Sequence, residues 1–130
     1  MAKTYLIDTS AIIKYLNGSL PDIGLQFIDQ IIDEASGISF ISEIELQVWN
    51  PPNEQDLDVY KFFVHQADII GIDKGIVAET IRVRKTHQLK LPDAVIAATA
   101  ITHNLTLISD NDKDFLKVAS LKYLNPNKLV

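Results

Sequence analysis

An α/β fold, with a central parallel sheet flanked by helices on both faces, is predicted by three observations. Short apolar runs alternate with longer stretches whose apolar residues recur at helical spacing. No hairpin turn signal separates consecutive runs. One stretch, 91–104, is apolar or small on nearly every side. Strands separated by helices cannot be joined by tight turns, so they lie parallel. A helix without a polar face is a buried helix.

The elements follow in order. Tyr5-Leu6-Ile7 reads as a buried strand ended by Asp8-Thr9-Ser10, and Ala11 to Asn17 as a helix closed by Gly18. After the turn at Leu20-Pro21, Asp22 to Ala35 carries Ile23, Phe27, Ile28, Ile31 and Ile32 at helical spacing, with Gly37 as its stop. Ile38 to Ile41 reads as a second strand and Ser42 to Trp49 as a helix, broken by Asn50-Pro51-Pro52-Asn53. Glu54 to Gln66 is a helix with Leu57, Tyr60, Phe63 and Val64 on one side. Asp68 to Ile72 is a strand, and Lys74 to Thr86 a helix with Ile76, Val77, Ile81 and Val83 inward.

The apolar helix 91–104 follows. Pro92 suits its first turn, where a missing N–H costs nothing, and Asn104 suits its end. Ala94, Ala97, Ala98 and Ala100 let neighbouring backbones come close, and Asp93 sits in the first turn, where the helix dipole favours negative charge. Strand Thr106 to Ile108, the loop Ser109 to Asp114, a short helix and a last strand, Leu121 to Leu124, complete the chain.

With 130 residues, 47% of them hydrophobic, the chain is expected to form one domain, 1–130, with a sizeable core. No apolar run reaches the ~20 residues of a membrane span. Met1 to Thr4 leads straight into a strand pattern rather than a signal peptide. The absence of cysteine excludes disulfides and thiolate metal sites and fits the cytoplasm. The formal charge of −5 gives no general basic footprint for nucleic acid, so such a ligand would need a metal or a local patch of cations.

In a parallel sheet, ligands bind at the carboxyl ends of the strands. Asp8 follows the first strand, Glu45 lies one turn into the helix after the second, and Asp93 opens the buried helix. Asp110, Asp112 and Asp114 crowd the loop after Thr106–Ile108, with Asn111 among them. Each also has an ordinary structural explanation. Asp8 and Asp93 suit a helix start, Ser42-x-x-Glu45 has the spacing of a capping box, and the acidic loop suits a solvated turn. Together, however, carboxylates about 4 Å apart repel by several kcal/mol per pair at an effective dielectric near ~20. A divalent cation would neutralise them. All-oxygen donors favour Mg²⁺ or Mn²⁺, and acidic clusters holding such ions hydrolyse phosphodiesters.

The runs Tyr5-Leu6-Ile7-Asp8-Thr9-Ser10, Ser39 to Leu46, Lys90-Leu91-Pro92-Asp93-Ala94 with its Ala-rich continuation, and Thr106 to Phe115 resemble PIN-domain proteins, and among them the VapC-type toxins of toxin–antitoxin pairs. The resemblance spans nearly the whole chain, and its Leu-Pro-Asp-Ala segment is its most specific part. It implies a Mg²⁺-dependent ribonuclease, a homodimer, and an antitoxin partner that blocks the site. By position it implies that Asp8 and Asp93 bind the metal and that Glu45 completes the acidic set and orients water. The family's fourth acid falls on Asn111, an amide, with Asp112 or Asp114 as substitutes. Thr9 and Ser109 would bond to carboxylates or phosphate. Arg82 and Lys90 are candidates for substrate phosphate and equally suit a solvated surface; His65, His87 and His103 are scattered.

Two other readings compete. One is a PIN-like binding module without activity. The other is a receiver-like signalling domain, which needs an Asp ending its central strand and a Lys at a later strand end. Ser42 after Ile38–Ile41 counts against that.

Overall fold

The structure, a computed structural model, describes residues 3–48 and 50–130. Five short strands are β1 Tyr5–Ile7, β2 Ser36–Ser39, β3 Ile69–Ile70, β4 Thr106–Ile108 and β5 Lys122–Leu124. They form one sheet in the order β3-β2-β1-β4-β5, every pairing parallel. The connecting helices are α1 Thr9–Leu16, α2 Asp22–Ile31, α3 Phe40–Val48, α4 Glu54–Gln66, α5 Lys74–Thr86, α6 Leu91–Thr102 and the short α7 Asp112–Phe115. A 3-10 turn, Pro126–Lys128, follows β5.

Strand alternation sorts the core onto two faces. Leu6 and Leu107 point to one side, where they meet Val83 of α5 and Ala94, Ile96, Ala97 and Ala100 of α6, with Phe115. Ile7, Ile38 and Ile108 point to the other, against Ala11, Ile12, Ile28, Leu46, Tyr60 and Val64. Each of these Leu and Ile side chains withdrawn from water contributes about 1.5–3 kcal/mol before chain entropy is counted. The apolar stretch predicted to be a buried helix is one: α6 is covered without interruption from Ala94 to Ala100. It ends as its sequence suggests, with Asn104 in the left-handed region at φ 55° and the Leu105 N–H bonded back to the Ala100 carbonyl.

Chain order explains where the sheet opens. From β1 the chain steps outward to β2 and β3, then returns across the sheet to β4, on the other side of β1, and ends at β5. The direction of winding reverses at β1, so the carboxyl ends of β1 and β4 border a topological switch point, where helices leave in opposite directions and a crevice remains.

The structure corrects the region around the second strand. That strand is Ser36–Ser39 rather than Ile38–Ile41, and Gly37 lies inside it rather than stopping a helix. Parallel pairing to Tyr5 and Leu6 draws Ser36 and Gly37 into the sheet despite their poor strand propensity. A Cβ on Gly37 would stand 3.2 Å from the Asp68 carbonyl oxygen. Phe40 and Ile41, apolar enough to suggest a strand, start α3 and pack on Ile76, Val95 and Ala98. The helix expected over Ser42 to Trp49 therefore begins two residues earlier; Trp49, like Met1 and Ala2 of the N-terminal reading, lies outside the described residues. Ser42 is inside α3, so Ser42-x-x-Glu45 is no capping box. The Ser39 hydroxyl accepts the Ile41 N–H at 3.0 Å instead. Asp22–Ala35 shortens to α2, with a turn over 32–35, and the strand Asp68–Ile72 shortens to Ile69–Ile70.

The C-terminal turn packs on α2 at Gly24, where a Cβ would lie 2.1 Å from the Pro126 carbonyl oxygen. Gly24→Ala should therefore destabilise the fold by about 1–3 kcal/mol, as overpacking does, although alanine favours helix. Denaturant unfolding checks this; equal or higher stability would mean that the C-terminal turn yields freely.

Candidate active site

Strand β1 delivers Asp8 to the switch point. Its backbone N–H continues the ladder to the Ile108 carbonyl (2.9 Å), which sets it beside Ser109 at the end of β4. Asp8 occupies the N-cap position of α1, yet its side chain makes no capping bond. The Ser109 hydroxyl donates to Asp8 Oδ2 at 2.7 Å and the Ser10 hydroxyl at 3.1 Å. Asp8 as a residue is 6% exposed. Burial pushes its pKa up from 3.8 to about 6, against the two hydroxyl hydrogen bonds and with a smaller push from the charge of Asp93.

Glu45 reaches the same place from the second turn of α3. Thr9 Oγ1 lies 2.6 Å from Glu45 Oε1 and 2.8 Å from Ser42 Oγ. An ionised carboxylate can only accept, so the Thr9 proton goes to Glu45. Asp93 stands in the first turn of α6, half-buried. Its pKa is raised by burial first, then by the charges of Asp114 and Glu45, with Lys90 opposing.

Asp8, Thr9, Ser10, Ile13, Glu45, Asp93, Asp110 and Asn111 line one open pocket of about 560 Å³. Of the residues singled out in sequence, Asp8, Thr9, Glu45, Asp93, Asp110 and Asn111 are thus brought together, with Ser109 behind Asp8. Asn111 caps α7, its Oδ1 accepting the Asp114 N–H at 3.4 Å and its Nδ2 donating to Asp114 at 3.1 Å. Asp114 stays outside the pocket lining, facing Lys117 at 3.7 Å, although its charge reaches Asp93.

Asp112 is not brought to the pocket. As the first residue of α7 it turns toward β5, where it accepts from Tyr123 (2.6 Å) and Asn125 (3.0 Å) and pairs with Lys128. Those partners, Lys128 first, hold its pKa down at about 2. Arg82 is engaged by Glu79 and donates to Ser120 at 3.1 Å. No histidine lines the pocket. Sequence reasoning missed Ser10 and Ser42 as supports; Asp110, named in sequence only as one of the acidic loop residues, forms a wall of the pocket. Asp110 pairs with Lys14 at 2.5 Å; burial works against its ionisation, but Lys14 outweighs it and the pKa is lowered. The Asp8-x-Ser10 spacing could have revealed Ser10; nothing local pairs Asp110 with Lys14.

Among the described residues no three His, Asp or Glu side chains stand close enough to hold a metal ion between them. The donor chemistry still fits a hard cation. Every polar group lining the pocket offers oxygen, and Mg²⁺ is held by one or two carboxylates together with water and substrate phosphate.

Fold and pocket define an α/β domain that opens an oxygen-lined acidic pocket at the switch point of a parallel sheet. A family model for the PIN domain matches residues 5–121, and the chain belongs to that family. Similar solved structures include a toxin–antitoxin complex from Klebsiella pneumoniae, 26% identical, with a TM-score of 0.77 over 97% of this chain and 100% of that one. VapBC2 from Rickettsia felis, bound to a promoter DNA fragment, is 24% identical, with a TM-score of 0.79 over 94% and 98%. DNA-bound VapBC from Salmonella typhimurium is 19% identical, with a TM-score of 0.81 over 97% and 99%. The last two share the fold alone. No curated protein matches the chain.

The raised pKa of Asp8 has a consequence for stability without metal. The native state disfavours the charged form, so the contribution of Asp8 is fully present below 3.8 and is lost as pH rises through about 6. Asp8→Asn carries no charge to bury and can still accept from Ser109. In chelator above pH ~6 it should be more stable than wild type by up to about 3 kcal/mol, at 1.36 kcal/mol per pKa unit. The gain should vanish in acid below the ordinary carboxylate range. Denaturant unfolding at both pH values checks this; equal stability throughout would place Asp8 in a well-solvated setting.

Proposed function

We propose that the chain, over 1–130, is a single PIN domain acting as a divalent-metal-dependent endoribonuclease, the toxin of a toxin–antitoxin pair working in the cytoplasm. The observation that carries this reading is the convergence of Asp8, Glu45 and Asp93, from three separate elements, on one pocket. A fold gains nothing in stability from bringing those carboxylates together, since burial and mutual repulsion raise the pKa values of Asp8 and Asp93.

Asp8 and Asp93 would hold Mg²⁺ or Mn²⁺. When bound, such an ion offsets the charge of a phosphodiester and makes water easier to deprotonate. Ser109 and Ser10 keep Asp8 oriented in its buried setting. Thr9 orients Glu45, which accepts the proton of the attacking water. Asn111, where the family's fourth acid falls, adds an amide to the rim without charge. Asp114 acts on the site through its charge and by holding the Asn111 amide.

The antitoxin partner belongs to the same proposal. An Arg inserted among Asp8, Glu45 and Asp93 would replace the cation, its planar fork pairing with carboxylates. An apolar cleft of about 500 Å³ between α1, α2 and α4, lined by Tyr15, Leu16, Ile32, Phe62 and Phe63 among others, offers a seat for the rest of such a segment. Homodimer formation is supported by the exposed apolar side chains of Ile44 and Val48 on α3 and Val77 and Ile81 on α5. Among the described residues no helix is long and apolar enough to cross a membrane. The reason given above against a receiver rested on the second strand; β1 is the central strand, and it does end on Asp8. The pocket lining has no lysine, and that disfavours a receiver instead.

Purified protein should cleave RNA with Mg²⁺ and not in chelator, and Asp93→Asn should lose cleavage with its fold retained. Full activity of that variant at ordinary Mg²⁺ would sink the assignment. Glu45→Gln should keep its stability within about 0.5 kcal/mol, the usual range away from the core, because the amide oxygen still accepts from Thr9. Its cleavage rate should fall by about 10²–10⁴, the share of a general base. A rate that merely tracked the folded fraction would leave Glu45 a structural residue.

A further inference from the structure

Beside the acidic pocket lies a second opening of about 400 Å³ of opposite character. It is lined by Arg84, His87, Gln88, Leu89 and Lys90, without a carboxylate among them. Arg84 and Lys90 are exposed, and neither takes part in an ion pair among the described residues. The two openings share no lining residue, but neighbouring side chains link them. Lys90 is the residue before α6 and stands three positions from Asp93, close enough for its charge to favour the ionised form of that carboxylate. On the other side, the Gln88 carbonyl accepts from Lys117 at 2.8 Å, Lys117 faces Asp114, and Asp114 accepts from Asn111 on the rim of the acidic pocket.

Helix stability accounts for Arg84 but not for Lys90. Arg84 lies in the last turn of α5, where the dipole welcomes positive charge, but Lys90 stands at the N-terminal end of α6, where the dipole opposes it. A protein of charge −5 with an acidic pocket also repels a polyanion unless local cations offset this. We propose that the opening lined by Arg84, His87 and Lys90 is a subsite for the phosphodiester backbone of an RNA strand whose adjoining segment enters the acidic pocket. Arg84 and Lys90 each contact a phosphate, Arg84 through its fork of donors, and His87 closes the wall between them. The subsite rests on the ribonuclease reading for its ligand, not for its cations.

The test measures binding of a labelled single-stranded RNA in chelator, where no cleavage occurs, across a salt series. The double variant Arg84→Ala, Lys90→Ala should bind about tenfold more weakly at low salt. The slope of log K against log salt should flatten by about 1.4, at ~0.7 per phosphate contact on a single strand. The charge-keeping pair Arg84→Lys, Lys90→Arg should retain most of the affinity, and Lys61→Ala, on α4, should change nothing. Unchanged affinity and slope in the double variant, with wild type binding normally, would overturn the subsite and leave the nuclease proposal standing. The subsite would stand and the nuclease proposal fall if binding depended on Arg84 and Lys90 while wild type with Mg²⁺ cleaved no RNA. Wild type that neither binds nor cleaves RNA would overturn both.

Discussion

The parallel pairing of β1 with β4 is the contact on which the rest depends. Its register sets Ile7 against Ile108, so the next residues, Asp8 and Ser109, emerge side by side at the switch point. A carboxylate on a buried residue is costly to ionise, and the Ser109 hydroxyl is the closer of the two hydroxyls that donate to Asp8. That pairing also closes the two-faced core, since Leu6 with Leu107 and Ile7 with Ile108 anchor the opposite helix layers. A slip of one residue would turn the faces of one strand over relative to the other and separate Asp8 from Ser109.

Around that pair the charges are sorted by the partners that hold them. Asp8 is held by hydroxyls, Glu45 by Thr9, and Asp93 sits half-exposed on the end of an otherwise buried helix. Further out, Lys14 takes Asp110, Lys117 faces Asp114 and Lys128 takes Asp112, so the outer carboxylates of this region already have cations. Among the described residues the inner three form no ion pair, although the charge of Lys90 reaches Asp93, and their pocket is what an added cation would complete. Arg84 and Lys90 are left over on the neighbouring surface, so acidic and basic openings flank the start of α6.

Much of the fold could be read locally. The periodicity of 54–66 and 74–86 marks α4 and α5 to the residue, and the unbroken apolar run marks α6 as buried. The region 36–42 could not be read this way. Ser36 and Gly37 enter a strand because β1 pairs with them, and Phe40 and Ile41 begin a helix because α5 and α6 cover them. Propensity gives way there to partners far along the chain. The same holds for Asp112, which looks in sequence like one more member of an acidic loop. Tyr123, Asn125 and Lys128 claim it only because β5 lies alongside β4.

By itself the sequence determined the α/β class, the buried helix and the candidacy of Asp8, Glu45 and Asp93, because periodicity, an all-apolar stretch and strand-end carboxylates are properties of neighbouring residues. Tertiary structure alone decided the strand order, and with it the switch point that turns three separated carboxylates into one pocket lining. It also decided which charges are already paired, leaving Arg84 and Lys90 outside the ion pairs of the described residues while Arg82 is bound to Glu79. These are relations between residues many positions apart, and parallel pairing through long crossovers leaves no local trace in the chain from which to read them.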